Sequence, residues 1–305
     1  MSKSVIVEAF GGPDVLHVRE VPAPHAGTGQ LRIKTAAAGL NPMDWLIIAD
    51  DALGAEFGVH PPTGFGYDFA GVVDEVGDSV TGFKVGDRVF GGAMSRAAAE
   101  FILADPATDE VRHLPDSLDF VTASTLPVAA RTAAAVIDTM GITHGDTVLV
   151  GGAAGGVGVL TVQLAQLAGA RVIGTGSQDS FEFLLGLGVE PVQYGPGLID
   201  RVRAIAPGGI SAAADLFGSE TAHVALALGV PGSRVATIAT QDPGLAATKT
   251  GAANSAADAL TTIAALVADG TLTVSIAAQY PLRDIRSAVT RQASRHLRGK
   301  IVLTV

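Results

Sequence analysis

The pattern of apolar and polar positions divides the chain into two parts of different character. In the first 120 or so residues, the run 30–35 alternates apolar and polar residues, which is typical of a half-buried strand. The runs 69–77 and 84–91 are short and end in glycine, as strands before turns do. Prolines recur through this part and disfavour long helices. The first part is therefore predicted to be rich in β-structure.

From about residue 122, alanine-rich helical stretches alternate with short strands. The predicted strands are 147–150, 171–174, 213–216 and 234–238. Such alternation predicts an α/β fold with a parallel sheet and helices on both faces. Further on, the pattern predicts a strand within 272–280, a helix from about residue 282 and a closing strand at 300–305. Residues 246–250, before a helix near residue 252, are predicted to form a mobile loop.

A glycine-rich turn joins the first of these strands to a helix. The helix has Val157, Leu160, Leu164 and Leu167 on one face, and Gly169 provides its stop. Glycines here let the backbone approach a pyrophosphate, and the helix offers free N–H groups to that anion. The predicted cofactor-binding residues of the turn are Gly152, Ala153, Ala154, Gly155, Gly156, Val157 and Gly158.

The turn departs from the Gly-x-Gly-x-x-Gly fingerprint at its first position. Ala153 stands where the first glycine is expected, with Gly152 just before it. The alternative interpretation is a tight strand-to-helix turn that binds nothing. A strand, a helix and a second strand of the expected size surround the turn, and this context favours a dinucleotide.

Composition narrows the class of protein. The chain has 305 residues, enough for two domains, and its net charge of −10 argues against nucleic acid as a partner. It contains no cysteine, which excludes disulfides and thiolate zinc ligands. The N-terminal residues do not resemble a signal peptide, and the longest apolar run, 148–160, is short for a membrane helix. We therefore expect a soluble, cytoplasmic protein that does not use a membrane.

Six segments, in order, resemble the zinc-free quinone oxidoreductase branch of the medium-chain dehydrogenase/reductase superfamily. They are Ala-Gly-Leu-Asn-Pro-Met-Asp-Trp at 38–45, the segments 66–77 and 85–91, Arg-Thr-Ala-Ala at 131–134, the glycine turn, and Arg-Gly-Lys-Ile-Val-Leu at 298–303. The resemblance implies a GroES-like β-barrel domain from residues 1–122 and 268–305. It also implies a Rossmann domain, a doubly wound parallel sheet, from residues 123–267.

The resemblance also bears on metal binding. Where zinc-dependent relatives carry a cysteine ligand this chain has Asn41, and where they carry Gly-His-Glu it has Gly66, Tyr67 and Asp68; the third ligand position falls near Val128. The seven histidines are scattered without paired ligand spacing. We expect no metal.

The second strand of the Rossmann unit bears on the choice of nicotinamide cofactor. Where an NAD-binding domain has an acidic residue, this chain has Gly176, which leaves room for a 2′-phosphate, and Ser177 can donate to it. The resemblance assigns Tyr194 to the same phosphate, and Thr175 and Phe217 complete the predicted cofactor-binding set. No Lys or Arg lies between residues 172 and 200. NADPH is favoured, and the alternative is that Ser177 only caps the following helix.

The resemblance supplies candidates for the reacting end. Asn41 could donate its amide to a substrate oxygen or only hold the turn before Pro42. Tyr67 offers a phenol at a former ligand position or packs in the core, and Thr132 resembles a residue beside the nicotinamide. Trp45 either lines a substrate pocket or packs in the core, and Asp44 is expected to fix the loop rather than to titrate. No residue stands out as a general acid, so the proton is expected from solvent.

These features predict an NADPH-dependent, zinc-independent reductase that transfers hydride to a quinone or an α,β-unsaturated carbonyl. Without zinc, such conjugated substrates need less polarisation than a ketone. One alternative is an enoyl-thioester reductase, which would need a basic entrance for a carrier phosphate. Another is a catalytically idle NADPH-binding or sensor protein. The resemblance also implies a homodimer formed near the strand 234–238, and the expected partner is a small-molecule electrophile.

Overall fold

The structure is a computed structural model that describes residues 1–240 and 242–305. The chain forms two compact units, one of Met1–Val128 with Ile276–Val305 and the other of Ala129–Ser275. Each observed division lies a few residues beyond the predicted one. At the first division the extra residues belong to the first unit, because the backbone N–H of Val128 donates to the buried Asp68 carboxylate at 3.0 Å.

The strands and helices alternate as the hydrophobic pattern indicates, with strands dominating the first unit. The strands are β1 (Ser2–Val7), β2 (Leu16–Val21), β3 (Leu31–Leu40), β4 (Asp68–Val76), β5 (Arg88–Gly92), β6 (Phe101–Ala104), β7 (Glu110–His113), β8 (Thr147–Gly151), β9 (Arg171–Gly176), β10 (Glu190–Gln193), β11 (Ala212–Asp215), β12 (Val235–Thr237), β13 (Thr248–Lys249), β14 (Ile276–Pro281) and β15 (Lys300–Thr304). The α-helices are α1 (Pro42–Ala49), α2 (Asp51–Glu56), α3 (Phe120–Ala123), α4 (Leu126–Met140), α5 (Gly156–Leu167), α6 (Phe181–Gly186), α7 (Leu198–Ile205), α8 (Glu220–Ala227), α9 (Ala259–Ala268) and α10 (Ile285–Ala293).

The first unit is built on a mainly antiparallel sheet in the order β14-β15-β3-β4-β5-β7, with β6 also paired to β3 and β1 and β2 forming a separate pair. The closing strand β15 lies between β14 and β3, so the end of the chain completes a sheet that begins at residue 31. Gly39 permits a close approach at this point, since a Cβ there would lie 2.0 Å from the carbonyl oxygen of Ser124. The end of β3 is thereby held where α1 begins.

The second unit contains the predicted parallel sheet, in the order β10-β9-β8-β11-β12-β13. Successive residues of β8 face opposite sides, so that Val148 and Val150 join one apolar cluster and Leu149 joins the other. Helices cover both faces, as in a doubly wound fold. The chain order reverses between β8 and β11, and the ends of these two strands form the switch point where ligands bind in such sheets.

One predicted segment differs from the observed structure. Within the predicted loop 246–250, Thr248–Lys249 forms the short edge strand β13, which pairs in parallel with β12. The predicted helix near residue 252 is a 3₁₀ turn, Ala252–Asn254, and α9 begins at Ala259. Across the described residues, we find no helix with both the length and the apolar character that a membrane crossing requires.

Candidate functional site

The glycine turn of the second unit lies at the carboxyl end of β8. Gly152 has φ of +70°, a conformation that favours glycine, and its N–H donates to the Thr175 hydroxyl at 3.3 Å. Gly155 precedes the first residue of α5, where no side chain caps the helix. The first N–H groups of α5 therefore have no side-chain acceptor, which is the arrangement that binds a phosphate group.

The glycines of this turn serve different purposes. A Cβ on Gly158 would lie 2.2 Å from the carbonyl oxygen of Gly152, so Gly158 allows the helix to pack on its own turn. A Cβ on Gly155 would meet only the Gly152 carbonyl oxygen, at 3.3 Å. Gly155 is therefore not required by internal packing, and its bare backbone leaves space in front of the helix. The turn fits the pyrophosphate of a dinucleotide.

Ser177 follows β9, beyond Gly176. Its hydroxyl lies 3.2 Å from the Ser180 hydroxyl and does not cap a helix, so the alternative interpretation of Ser177 as a helix cap does not hold. Gly176 has no side chain that could repel a phosphate. A Cβ there would lie 3.1 Å from Leu184 Cδ1 and 3.3 Å from Ser180 Cβ. The end of β9 thus presents a hydroxyl and no carboxylate.

Tyr194 follows β10 and is 46% exposed. Although residues 172–200 contain no cation, the fold brings Arg201 back to this loop. The guanidinium donates to the carbonyl oxygens of Tyr194 at 3.2 Å and of Gly195 at 2.9 Å, and also to those of Gln193 and Pro196. Arg201 was missed at the sequence level because it lies one residue beyond the stretch 172–200. The Arg201 guanidinium donates only to backbone oxygens of this loop, and its positive charge lies beside Tyr194.

Phe217 is 54% exposed and lies beside the glycine turn, since its Cβ is 3.3 Å from the position of a Cβ on Gly152. The buried Asp215 carboxylate fixes this loop by accepting from the backbone N–H groups of Phe217 and Gly218. Glu220 at the start of α8 accepts from the backbone N–H of Gly195 at 2.9 Å. The loops that carry Phe217 and Tyr194 are therefore joined by a hydrogen bond.

Thr132 lies on α4 and is 5% exposed. Within the part of the chain that the structure describes, its hydroxyl makes no hydrogen bond, so it is available to a ligand. The neighbouring Arg131 donates from Nε to the Ser255 hydroxyl at 3.2 Å, which ties α4 to the segment before α9. The predicted role of Thr132 beside a nicotinamide stays a prediction.

In the first unit, a buried polar cluster joins β3, α1, β4 and β15. Asn41, which precedes α1, donates from Nδ2 to Asp68 Oδ2 at 2.8 Å. The Lys300 ammonium donates to Asn41 Oδ1, and to Asp68 Oδ2 at 3.2 Å. Asp44 accepts from the backbone N–H of Asn41 at 2.7 Å. All four of these residues are at most 6% exposed.

The pKa values in the cluster depend on two buried carboxyl groups, Asp44 and Asp68, that lie near a single ammonium group, that of Lys300. Burial, and then the charge of Asp68, raises the pKa of Asp44 to about 7. Burial also raises the pKa of Asp68, although Lys300 and Asn41 oppose this shift. Asp44 fixes the loop, as expected, because the backbone N–H groups of Asn41 and Tyr67 donate to it. Its pKa near neutrality would also allow this carboxyl to titrate, and the expectation that Asp44 is structural stays a prediction.

The other two candidates of the first unit, Tyr67 and Trp45, are partly enclosed by protein. The Tyr67 ring fills the space above Gly92, where a Cβ would lie 1.9 Å from Tyr67 Cε1. Trp45 packs against the apolar core, and the Arg295 guanidinium lies 5.9 Å from its ring centroid. The buried Trp45 Nε1 has no hydrogen-bond partner among the described residues. The substrate roles of Tyr67 and Trp45 stay predictions.

The residues at the former ligand positions do not fit zinc. Asn41 and Tyr67 bring an amide and a phenol, and the chain contains no cysteine. The cluster already holds a cation of its own, the Lys300 ammonium, against Asn41 and Asp68. No group of three His, Asp or Glu residues that could hold a metal occurs in residues 1–240 and 242–305. Sequence reasoning had missed Lys300, whose signal is a charged residue at the start of an apolar strand.

The chain is similar to known proteins over parts of both units. Residues 27–109 match the alcohol dehydrogenase GroES-like domain, and residues 187–303 match the zinc-binding dehydrogenase family. Quinone oxidoreductase of Sus scrofa is 31% identical over 250 residues, which cover 80% of this chain and 74% of that protein. Quinone oxidoreductase of Mus musculus is 36% identical over 196 residues, or 63% of this chain. The matched part spans 58% of the length of the mouse protein.

Solved structures extend the likeness to the whole chain. The quinone oxidoreductase of Coxiella burnetii has a TM-score of 0.90 and 29% identity, with 100% of this chain and 99% of that chain covered. A mycobacterial protein solved in complex with NADPH has a TM-score of 0.87 and 26% identity, with both chains covered completely. The chain belongs to the quinone oxidoreductase branch of the medium-chain dehydrogenase/reductase superfamily, and its two units have the GroES-like and Rossmann folds of that superfamily.

Proposed function

We propose that this protein is an NADPH-dependent, zinc-independent reductase that transfers hydride to a quinone or an α,β-unsaturated carbonyl. The observation that carries the proposal is the glycine turn at the switch point of the parallel sheet, where α5 begins without a side-chain cap. Similar proteins include several quinone oxidoreductases, and one similar structure was solved with NADPH. When bound, the nicotinamide supplies the hydride.

The preference for NADPH rests on the end of β9. Gly176 offers no carboxylate to bind ribose hydroxyls or repel a phosphate, and Ser177 offers a hydroxyl. Tyr194 adds a second hydroxyl, with the charge of Arg201 nearby. Thr175 supports the turn through Gly152, and Phe217 provides an exposed aromatic surface beside it.

The substrate class rests on the groups available at the reacting end. Asn41 would donate to the substrate oxygen, Thr132 would contact the nicotinamide, and Tyr67 and Trp45 would line the pocket. An amide donor polarises a carbonyl less than a metal does, which favours a substrate whose conjugation already spreads the developing charge. No side chain in this set is an evident proton donor, so we propose that solvent supplies the proton.

The setting of the reaction is also part of the proposal. We infer a cytoplasmic protein that acts on a small-molecule electrophile and binds neither nucleic acid nor membrane. The net charge of −10 opposes a nucleic-acid partner. The short edge strand β13 is exposed at both residues and would be the pairing edge of a homodimer.

The test combines cofactor binding with a substrate panel. Oxidation of NADPH is followed with quinones, enals, enones and enoyl-thioesters as acceptors. Gly155→Val should abolish NADPH binding, because a branched side chain would stand before the N-terminus of α5 while meeting only one backbone oxygen internally. The matched control is Gly208→Val, since a Cβ on Gly208 meets nothing within 4 Å.

The possible outcomes separate the parts of the proposal. Loss of binding in the folded Gly155→Val variant, with turnover of quinones or enones by the wild type, is the expected result. Wild-type affinity in that variant would mean that the cofactor site is misplaced. Strong preference for enoyl-thioesters would replace the proposed substrate class. Binding of NADPH without turnover of any acceptor would point to a sensor.

A further inference from the structure

Lys300 begins β15 and carries its ammonium group into the interior, where the residue is 6% exposed. A buried charge is costly unless it is paired and hydrogen-bonded. Here the partners are Asn41 Oδ1 and Asp68 Oδ2, which belong to segments more than 200 residues away in sequence. The bond to Asp68 pairs two opposite charges. The bond to Asn41 joins the ammonium to a neutral amide, so charge neutralisation does not explain it.

The bond to Lys300 determines which way the Asn41 amide faces. An ammonium group can only donate, so it must face Oδ1 of the amide and not Nδ2. Asp68 lies on the other side and accepts from Nδ2 at 2.8 Å, while its carboxylate also accepts from the Val128 backbone N–H. A reversed amide would place Nδ2 against the ammonium and Oδ1 against the carboxylate. The two charged neighbours therefore select a single orientation.

This orientation leaves one hydrogen of Asn41 Nδ2 without an acceptor in the described part of the chain. An ammonium that bonds to a carbonyl oxygen withdraws electron density from the amide, which strengthens the N–H groups at its other end as donors. The positive charge of Lys300 is thereby transmitted through one amide to that hydrogen. An oxygen that gains negative charge during reduction would benefit from such a donor more than neutral substrate does.

We propose that Lys300 is a positioning residue for Asn41, which fixes the orientation of the amide and polarises it toward a substrate oxygen. This inference rests on the proposed function only in its last step, the contact between Asn41 and substrate. Orientation and polarisation are properties of the protein alone and can be measured without substrate.

The first experiment observes the amide itself by NMR of the whole protein. The chain contains two asparagines, Asn41 and Asn254, so labelling asparagine with ¹⁵N gives two side-chain amide signals, which Asn41→Ala assigns. The test variant is Lys300→Met with Asp68→Asn, which removes the ammonium and its hydrogen-bonded carboxylate together. The amide introduced at position 68 adds a third signal, so Asn41→Ala is repeated in this background to assign the Asn41 amide there. The Asn41 amide protons should shift and exchange faster with solvent in this variant. In the control Lys34→Met, an exposed position of β3, they should not change.

The second experiment measures steady-state quinone reduction with the same variants. Charge-assisted hydrogen bonds are about twice as strong as neutral ones, so we expect a loss of about tenfold in kcat with KM changed less than about twofold. Lys300→Gln with Asp68→Asn keeps a neutral donor and should restore the amide signals of Asn41 but not kcat. If Lys300 were purely structural, the variants would lose stability, and kcat and KM of the folded protein would not separate in this way.

Three results discriminate between the proposals. Unchanged Asn41 amide signals in the Met/Asn variant would overturn the positioning role, whatever the activity. A wild-type kcat in that variant, alongside a large loss in Asn41→Ala, would overturn the polarisation. If the signals change as expected but the wild-type protein reduces no acceptor, the positioning role stands and the proposed function fails.

Discussion

We expect selectivity between NADPH and NADH to depend on single residues at the end of β9. Ser177→Ala removes one hydroxyl that can donate to a 2′-phosphate. Hydrogen bonds to charged groups contribute about 1.5–3 kcal/mol, so NADPH affinity should fall roughly tenfold or more. Binding of NADH should hardly change. Titration calorimetry measures both constants, and Ser233→Ala, an exposed serine of the same unit, is the control.

Gly176→Asp should reverse the preference toward NADH, by repelling the phosphate and accepting from the ribose hydroxyls. The structure adds a cost to this change, because the new Cβ would lie 3.1 Å from the tip of Leu184. Gly176→Ala carries the same steric cost without the charge and separates the two effects. Equal dissociation constants for both cofactors in the wild type, unaffected by either change, would contradict this account of selectivity.

Most candidate residues could be named from sequence, but their partners could not. The spacing of glycines located the turn, and the absence of an acid at Gly176 was visible directly. Arg201 lies only five to eight positions from its partners and was missed because it stands just past residue 200. Lys300 was missed because it reaches its partners through the fold and lies 259 positions from Asn41. Sequence periodicity reports which side of an element is buried, and it carries no information about which distant polar group meets another.

At the scale of elements, an ion pair between the buried Asp146 and the partly exposed Arg234 holds the amino ends of β8 and β12. Asp146 Oδ2 lies 2.8 Å from Arg234 Nη2 and also accepts from the Thr143 backbone N–H. Arg234 Nε donates to the carbonyl oxygen of Met140 at the end of α4. The Arg234 guanidinium, aided by Ser211, holds the pKa of Asp146 well below its usual range.

Arg234→Met should therefore lower the free energy of unfolding by roughly 1–3 kcal/mol, because the buried Asp146 carboxylate loses its charged partner but keeps its bonds from Thr143 and Ser211. The matched control is Arg203→Met, whose ion pair with Asp200 is exposed and should contribute little. Urea denaturation followed by circular dichroism measures both variants. A midpoint for Arg234→Met equal to that of the control would show that the pair does not hold these elements together.

Element type was predicted well wherever apolar periodicity was strong. The closing strand and the βα alternation were confirmed, and the boundaries moved by only a few residues. The prediction of a loop at 246–250 was wrong at Thr248–Lys249, because a two-residue edge strand is too short to show a hydrophobic period. Its strand conformation depends on pairing with β12, which is a tertiary contact.

At the scale of the whole molecule, the raised pKa of Asp44 makes stability depend on pH. The folded protein favours the protonated carboxyl, so the stability that Asp44 contributes is fully present below its unfolded pKa and is lost as pH rises from about 4 to about 7. Between pH 6 and pH 8, the wild type should lose about 1 kcal/mol relative to Asp44→Asn, which keeps an acceptor but cannot ionise. The urea midpoints of both proteins are measured at the two pH values. Equal changes in midpoint for the wild type and Asp44→Asn would refute this prediction.

The proposed homodimer is a second property of the whole molecule. Sedimentation at micromolar concentration should give twice the chain mass of 30.7 kDa. Thr250 donates its backbone N–H to Thr237 of β12, so the N–H of Lys249, one residue earlier, faces the open edge of the sheet. Pairing through β13 therefore predicts slow exchange of the Lys249 amide. A monomer at this concentration, with rapid exchange at Lys249, would contradict the proposal.

The position of β15 has a consequence for how the protein is made. A ribosome delivers residues 31–40 and Asp68 long before Lys300, and domains generally fold in the order of synthesis. Until the last strand emerges, β3 lacks its β15 neighbour and the carboxylate of Asp68 lacks its ammonium. The second unit, which ends at Ser275, is complete by then. A nascent chain can therefore complete the unit that carries the glycine turn before the unit that carries the Lys300 cluster, and a chain cut short before residue 300 would keep the first and lack the second.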